Sequence, residues 1–345
     1  AIEVNPAINR MLTDGFLEKF TGGIYHHPKV RVVTEDGRAY LRRQEGKFDV
    51  IVASSANTFA ALASGAFALA ENYLFTTEAF GDYWRALKPE GVLVMEHQFY
   101  IPRAASEALI ALRRAGVQSP EAHLAVYELP QRRRMVLLLS RQPLTEQALQ
   151  ALFGPLGPER EKEVRLLYPP SEATREELVV RIVRDGWEKA AASAPTDISP
   201  CGDDRPFVAQ MGLWRNLDAK RLEKISALEV NGFPLSKLIL VTIITVTSAL
   251  ALPLLLLPGL LKRGPRLGAI PWLYFFAIGV AFMAVEVVLI QQFTLLVGSS
   301  AYTLVVILLT LLLSSGVGSL YAPRFRDAVP FGAIRGRYIE VRLGM

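Results

Sequence analysis

The sequence predicts an α/β domain, a doubly wound and mostly parallel sheet with an antiparallel edge, followed by an α-helical transmembrane domain. Three observations carry this expectation. Short β-branched runs such as Val50-Ile51-Val52 alternate with helix-length segments through the first 153 residues, the pattern of strands joined by crossover helices. Two strand-like runs, 123–128 and 135–140, stand only a turn apart and so form a close antiparallel pair. Beyond that region charge vanishes: none occurs over 238–261, and over 267–323 only Glu286 carries it.

Taken in order, residues 2–4 read as a buried strand, and Asn5 with Pro6 starts a helix over 7–20 that Gly22-Gly23 ends. Residues 29–34 alternate as a strand, Glu35-Asp36-Gly37 turns, and 38–43 form a short helix. The strand over 48–54 ends in the small polar segment Ser54-Ser55-Ala56-Asn57. Helix 77–87 closes at Lys88-Pro89-Glu90-Gly91, strand 92–95 ends at Glu96-His97-Gln98, and 104–115 is helical. Residues 154–170, rich in proline, glycine and charge, read as a linker or exposed loop. An amphipathic helix over 171–192, an irregular stretch over 195–207 and a charged helix over 213–228 lead towards the membrane. The expected division is 1–153 for the α/β domain, 154–234 for a connector, 235–322 for transmembrane helices and 323–345 for a tail. Spans 238–261, 271–297 and 301–321 each exceed the roughly 20 residues that cross a bilayer as a helix.

Composition narrows the function. A net charge of +5 calls for no nucleic-acid partner, the single Cys201 forms no internal disulfide, and His26, His27, His97 and His123 show no metal-ligand spacing. The expected partners are the lipid bilayer, a small-molecule acceptor and, through the spans, further copies of the chain. Positive charge falls on both sides of the spans: Lys262, Arg263, Arg266, Arg324 and Arg326 on one, Arg221, Lys224 and Lys237 on the other. Counting it would set the soluble domain outside the cytoplasm. The start at Ala1 reads as a fragment's edge, so further helices are expected to reset the orientation. The domain is then cytoplasmic, on a bacterial-type inner or plasma membrane.

Several segments, in this order and spacing, resemble the spermidine synthase-like branch of class I S-adenosylmethionine-dependent transferases. They are Ile2-Glu3-Val4-Asn5-Pro6, Pro28-Lys29-Val30-Arg31-Val32-Val33, Asp36-Gly37-Arg38-Ala39-Tyr40-Leu41, Lys47-Phe48-Asp49-Val50-Ile51, Leu74-Phe75-Thr76 and Gly91-Val92-Leu93-Val94. The spans, with Phe275-Phe276, Glu286 and Gly316-Val317-Gly318-Ser319, look like its membrane-embedded members, as does Asp203-Asp204-Arg205-Pro206-Phe207. The resemblance implies a Rossmann-like methyltransferase sheet whose first strand and glycine-rich loop should precede Glu3. It also implies S-adenosylmethionine or its decarboxylated form as cosubstrate.

By that resemblance Glu3 holds the ribose hydroxyls, and Asp36, beside Gly37, takes the adenine amino group; the plainer roles are a cap or a turn acid. Ser54 and Asn57 stand where the polyamine synthases carry two aspartates. Serine is no base for an ammonium acceptor, so methyl transfer or another acceptor is expected over ordinary polyamine synthesis. His97 is a candidate base, or a ring satisfied by neighbouring backbone. Tyr73 is a candidate substrate contact, or loop packing. Asp203-Asp204 attracts a cation, or forms a turn in which Asp204 pairs with Arg205. Arg132-Arg133-Arg134 is a solvated hairpin turn, or meets lipid headgroups. Glu286, inside an apolar span, is either protonated between helices or lines a polar cavity.

The leading expectation is a membrane-anchored transferase moving a methyl or aminopropyl group. The alternatives are a non-catalytic membrane protein with a nucleoside- or polyamine-binding domain, and a transporter or sensor acting through Glu286.

Overall fold

In the computed structural model the described residues are 1–54, 71–153, 163–218, 231–261, 269–297 and 300–326. The chain divides into one unit over 1–265 and a second over 266–345.

The first unit opens with two short parallel strands, β1 (Ile2–Glu3) and β2 (Val33–Thr34), with Glu3 opposite Thr34. Between them α1 (Pro6–Thr13) starts where expected, because Asn5 accepts the Ala7 N–H at 2.9 Å and Pro6 needs no hydrogen bond in the first turn. It ends at Thr13 rather than residue 20, and the strand expected over 29–34 is confined to its last two residues. α2 (Gly37–Arg42) follows β2 with Asp36 as its cap, the Oδ1 atom accepting the Ala39 N–H at 2.8 Å.

A five-stranded sheet carries the rest. Its order is β3 (Phe48–Ser54), β4 (Leu87–His97), β6 (Arg134–Ser140), β5 (Leu124–Leu129) and β7 (Arg165–Tyr168). β3 and β4 run parallel and the other pairings are antiparallel. The antiparallel share therefore exceeds a single edge pair. The added strand, β7, comes from the segment read as a linker, where Arg165-Leu166-Leu167-Tyr168 pairs with β5 and buries Leu167.

Helices α3 (Thr77–Ala86) and α4 (Ile101–Arg114) cover one face. Phe80, Tyr83, Ile101 and Leu112 pack there against Leu93, Met95, Leu137 and Leu139. β4 passes close to β3 because residue 91 is glycine: a Cβ there would stand 2.6 Å from the Phe48 carbonyl oxygen. After α5 (Glu146–Phe153), α6 (Leu178–Asp185) and α7 (Trp187–Ala191) replace the single helix expected over 171–192. They part at Gly186, whose φ of 87° no helical residue adopts.

The irregular stretch over 195–213 is not loose, because α4 holds it. Buried Arg103 donates to the carbonyl oxygens of Asp197, Val208 and Gln210. One turn on, Glu107 is fully buried and accepts the Cys201 N–H at 2.9 Å, and its other oxygen has no hydrogen-bond partner. Burial raises its pKa well above the carboxylate range, so the folded protein keeps it protonated. The unfolded chain releases that proton above about pH 4.5, so the group works against folding increasingly as pH rises. Glu107→Gln is expected to gain stability relative to the wild type as pH goes from 5 to 8. Urea midpoints across that range measure it; a difference that stays constant with pH would contradict a protonated Glu107.

Among the described residues three helices are long and apolar enough to cross a membrane: α8 (Leu235–Leu261), α9 (Ala269–Val297) and α10 (Ser300–Arg326). α8 belongs to the first unit, where Lys237 at its start donates to the Gly212 carbonyl at 2.7 Å. α9 and α10 lie against each other in the second unit.

Candidate active site at the strand ends

Parallel strands in an α/β sheet present their carboxyl ends to ligands. In the first pair those ends bring Glu3, closing β1, beside Thr34, with Asp36 two residues further on. Glu3 Oε1 accepts the Asn5 N–H at 2.8 Å, and Asp36 commits Oδ1 to its cap. Each acid thus takes the structural role weighed for it and retains a second carboxylate oxygen, and both are partly exposed. Gly37 is not demanded by packing, since a Cβ placed there meets nothing within 4 Å. The space beside Asp36 is open.

The second pair ends in Ser54 and Glu96, which face each other in the β3–β4 register. The Ser54 hydroxyl donates to Glu96 Oε2 at 2.6 Å, and Arg134 Nε lies 3.3 Å from Glu96 Oε1. Glu96 opposes Val136, which opposes Tyr127, so Ser54, Glu96, Val136 and Tyr127 form a row across four strands. Burial, with the Glu96 charge second, raises the Tyr127 pKa and keeps the phenol neutral. Asn57 lies outside the described residues.

His97 is not on that face. Successive residues of a strand point to opposite sides, and along β4 Leu93, Met95 and His97 are buried while Val94 and Glu96 are partly exposed. His97 Nδ1 accepts the N–H groups of Phe99 at 3.0 Å and Tyr100 at 3.2 Å, and the ring stacks on Tyr100 at 3.9 Å. Burial, helped by the Arg134 charge, pushes its pKa down to about 4. The ring fixes the turn into α4, the backbone-satisfied role, and does not reach Ser54 as a base.

Tyr73 lies in the loop before α3. Its hydroxyl donates to Glu71 at 2.9 Å, and burial together with that contact raises its pKa, keeping it a neutral donor. Its carbonyl is held by Arg38, the centre of a buried cluster. Arg38 donates from Nε to Asp82 at 2.9 Å and from both terminal nitrogens to Asp203 at 2.6 and 2.8 Å, and Thr76 donates to the same Asp203 at 2.7 Å. The Asp203 carboxylate is thereby committed to Arg38 rather than offered to a cation, while residues 202–205 form the expected turn, closed by the Arg205 N–H on the Gly202 carbonyl at 2.9 Å. Arg134, read within a solvated turn, instead opens β6 and faces Glu96. Glu286 is half-buried in α9 while residues 281–285, 287 and 288 are exposed.

Sequence reasoning placed Glu96 at a strand end without giving it a role. The signal was available in the alternation of β4, which sets Glu96 and not His97 on the side away from the helices.

Residues 11–138 match the family described as "Spermine/spermidine synthase domain". A polyamine aminopropyltransferase of Clostridium botulinum (strain Eklund 17B) is 32% identical over 78 residues, 23% of this chain and 24% of that protein. One from Alkaliphilus oremlandii is 34% identical over 71 residues, 21% of this chain and 22% of that protein. The matched stretch thus spans about a quarter of the length of these curated relatives. Among solved structures, spermidine synthase from Thermotoga maritima aligns with a TM-score of 0.29 and 23% identity over 41% of this chain and 45% of that one. β1 and Glu3 lie before the matched residues, whereas Asp36, Ser54 and Glu96 lie within them. The stretch over 11–138 is similar to the spermine/spermidine synthase domain family.

Proposed function

We propose that the protein is a membrane-anchored transferase that moves an alkyl group from a sulfonium nucleoside, S-adenosylmethionine or its decarboxylated form, to a small-molecule acceptor. The observation that carries this reading is the supply of carboxylates at the carboxyl ends of both parallel pairs: Glu3 and Asp36 on one, Glu96 on the other. The family match and the names of the curated relatives favour aminopropyl over methyl transfer.

In this reading the nucleoside brings an electrophilic carbon attached to positive sulfur. Glu3 accepts the ribose hydroxyls with its uncommitted oxygen, Asp36 accepts the adenine amino group, and the space beside Gly37 admits the ring. Tyr73 covers the site from the loop before α3. Holding donor and acceptor in line supplies most of the rate, as positioning does in group transfer generally. The bilayer is the partner of α8, α9 and α10, the spans are where copies associate, and the soluble domain lies on the cytoplasmic side.

Calorimetry on the complete protein with S-adenosylmethionine and its decarboxylated form tests the reading. Binding of one is expected, with the decarboxylated form tighter; binding of neither ends it. Gly37→Ala is a sharper probe. The added methyl meets no protein atom and is expected to change stability by no more than about 1 kcal/mol. It should weaken nucleoside binding about tenfold or more, and equal affinity in both forms would move the nucleoside away from Asp36.

A further inference from the structure

On the basis of the membrane-anchored transferase reading, we propose that the soluble domain is held with the carboxyl ends of its parallel strands, where the candidate site lies, turned towards the bilayer. The docking surface is the segment around Trp214 and Leu217 at the root of α8, and its partner is the phospholipid headgroup layer.

The place where α8 leaves the domain sets this orientation. Three residues separate the end of β4 from the start of α4, so the first turn of α4 stands at the carboxyl-end side of the sheet. From that turn Arg103 donates to the carbonyl oxygens of Asp197, Val208 and Gln210 in the connector. The connector meets the same side twice more. The Pro206 carbonyl accepts the Asn72 N–H at 2.8 Å, and the Cys201 carbonyl accepts the Thr77 N–H at 2.9 Å where α3 begins. The Asp197 carboxylate then bridges two helices, one oxygen 3.7 Å from Arg103 Nη2 and the other 3.8 Å from Lys237 Nζ. Lys237 lies in the first turn of α8 and also donates to the Gly212 carbonyl at 2.7 Å. α8 is thus rooted beside the start of α4, within the same unit of the chain.

Burial along α8 marks where lipid begins. Pro234 and Ser236 are buried in the domain, Leu238, Ile239 and Leu240 are half-buried, and residues 241–250 are exposed. An apolar helix that is bare from its second turn onward has its cover in the bilayer, which puts the headgroup layer beside Lys237.

The surface next to that point has interfacial character. The Leu213 N–H and Asn216 Nδ2 donate to the Gly232 carbonyl at 2.8 and 3.0 Å, fixing the short turn Trp214–Asn216 against the chain that enters α8. Trp214 and Leu217 there are each 51% exposed. Tryptophan concentrates at the membrane–water boundary because its ring is apolar and its N–H polar. The rival apolar surface is Phe16 and Phe20, 76% and 88% exposed. It lies beyond the C-terminal end of α1, on the opposite side of the sheet from the strand ends, and α8 does not start there.

Energy transfer to lipid tests the orientation without a substrate. The complete protein is placed in phosphatidylcholine nanodiscs carrying a trace of headgroup-labelled lipid, with a donor dye on Leu217→Cys or on Phe20→Cys. Cys201 is buried and stays unlabelled, which the wild type verifies. The seven residues of β3 set the two ends of the sheet about 20 Å apart, enough to separate the dyes. Transfer from position 217 is expected to exceed that from position 20 severalfold. Equal transfer, or more from position 20, overturns the proposal. Trp214→Phe should remove a large share of the tryptophan emission that brominated phosphatidylcholine quenches, with the thermal midpoint unchanged; undiminished quenching overturns the place given to Trp214. Transfer from neither position overturns membrane anchoring and this orientation together. Strong transfer from position 217 in a protein that binds no nucleoside ends the transferase reading and leaves the orientation standing.

Discussion

Arg38→Met is expected to destabilise the first unit by about 3–5 kcal/mol, the cost of removing one partner from a buried ion cluster. Arg38 is 2% exposed, and its five donor contacts tie four separate parts of the chain: α2, the loop at Tyr73 and Thr76, α3 through Asp82, and the connector through Asp203. Without the guanidinium, Asp82 stays buried beside Arg85 alone and Asp203 loses its two-pronged partner. Lysine restores the charge but not the planar fork, so Arg38→Lys should recover only part of the loss. Urea midpoints of the three proteins measure the effect. Limited proteolysis should cut the methionine variant between residues 197 and 213 well before the wild type. A loss below about 1 kcal/mol would mean the cluster is ornamental to the fold.

The second large effect is acid sensitivity set by His97. Its folded pKa, about 4, lies below the ordinary histidine value of 6.5, so the unfolded chain binds the proton more readily. Stability from this group is complete above about pH 6.5 and falls as pH drops towards 4. The full interval corresponds to about 3 kcal/mol. His97→Asn keeps an acceptor for the Phe99 and Tyr100 N–H groups and removes the titration. The variant should be less stable than the wild type at pH 7, through lost packing on Tyr100, and the gap should close towards pH 4.5. A gap that is independent of pH would show that His97 does not titrate in this interval. Glu107 acts with opposite sign over an overlapping range, so the difference between each variant and the wild type reports its own group.

Much of the fold is legible in the residues because local signals agree with the tertiary result. Asn5-Pro6 starts a helix, Phe48-Asp49-Val50-Ile51-Val52 is a strand, and the uncharged C-terminal runs are long helices. What escaped was set by distant partners. Arg165-Leu166-Leu167-Tyr168 is too short to declare itself and becomes a strand because β5 offers an edge. Asp203 looks like a solvent-facing turn acid until α2 brings Arg38 to it across 165 residues.

The candidate site follows the same division. Glu3 and Asp36 could be placed by their own strand ends. The Ser54–Glu96 contact depends on register between strands 42 residues apart, which no local pattern encodes. His97 drew attention as the group that titrates near neutrality, but the two-residue period of β4 turns it into the core. Its neighbour Glu96 is the one that meets Ser54.

The most direct measurement is a structure of the protein with 5′-methylthioadenosine bound. The expected density places the ribose on Glu3 and the adenine beside Asp36 and Gly37, within about 3 Å of the two carboxylates as hydrogen bonding requires. A nucleoside bound elsewhere, with Glu3 and Asp36 still accepting only the Asn5 and Ala39 N–H groups, would contradict it.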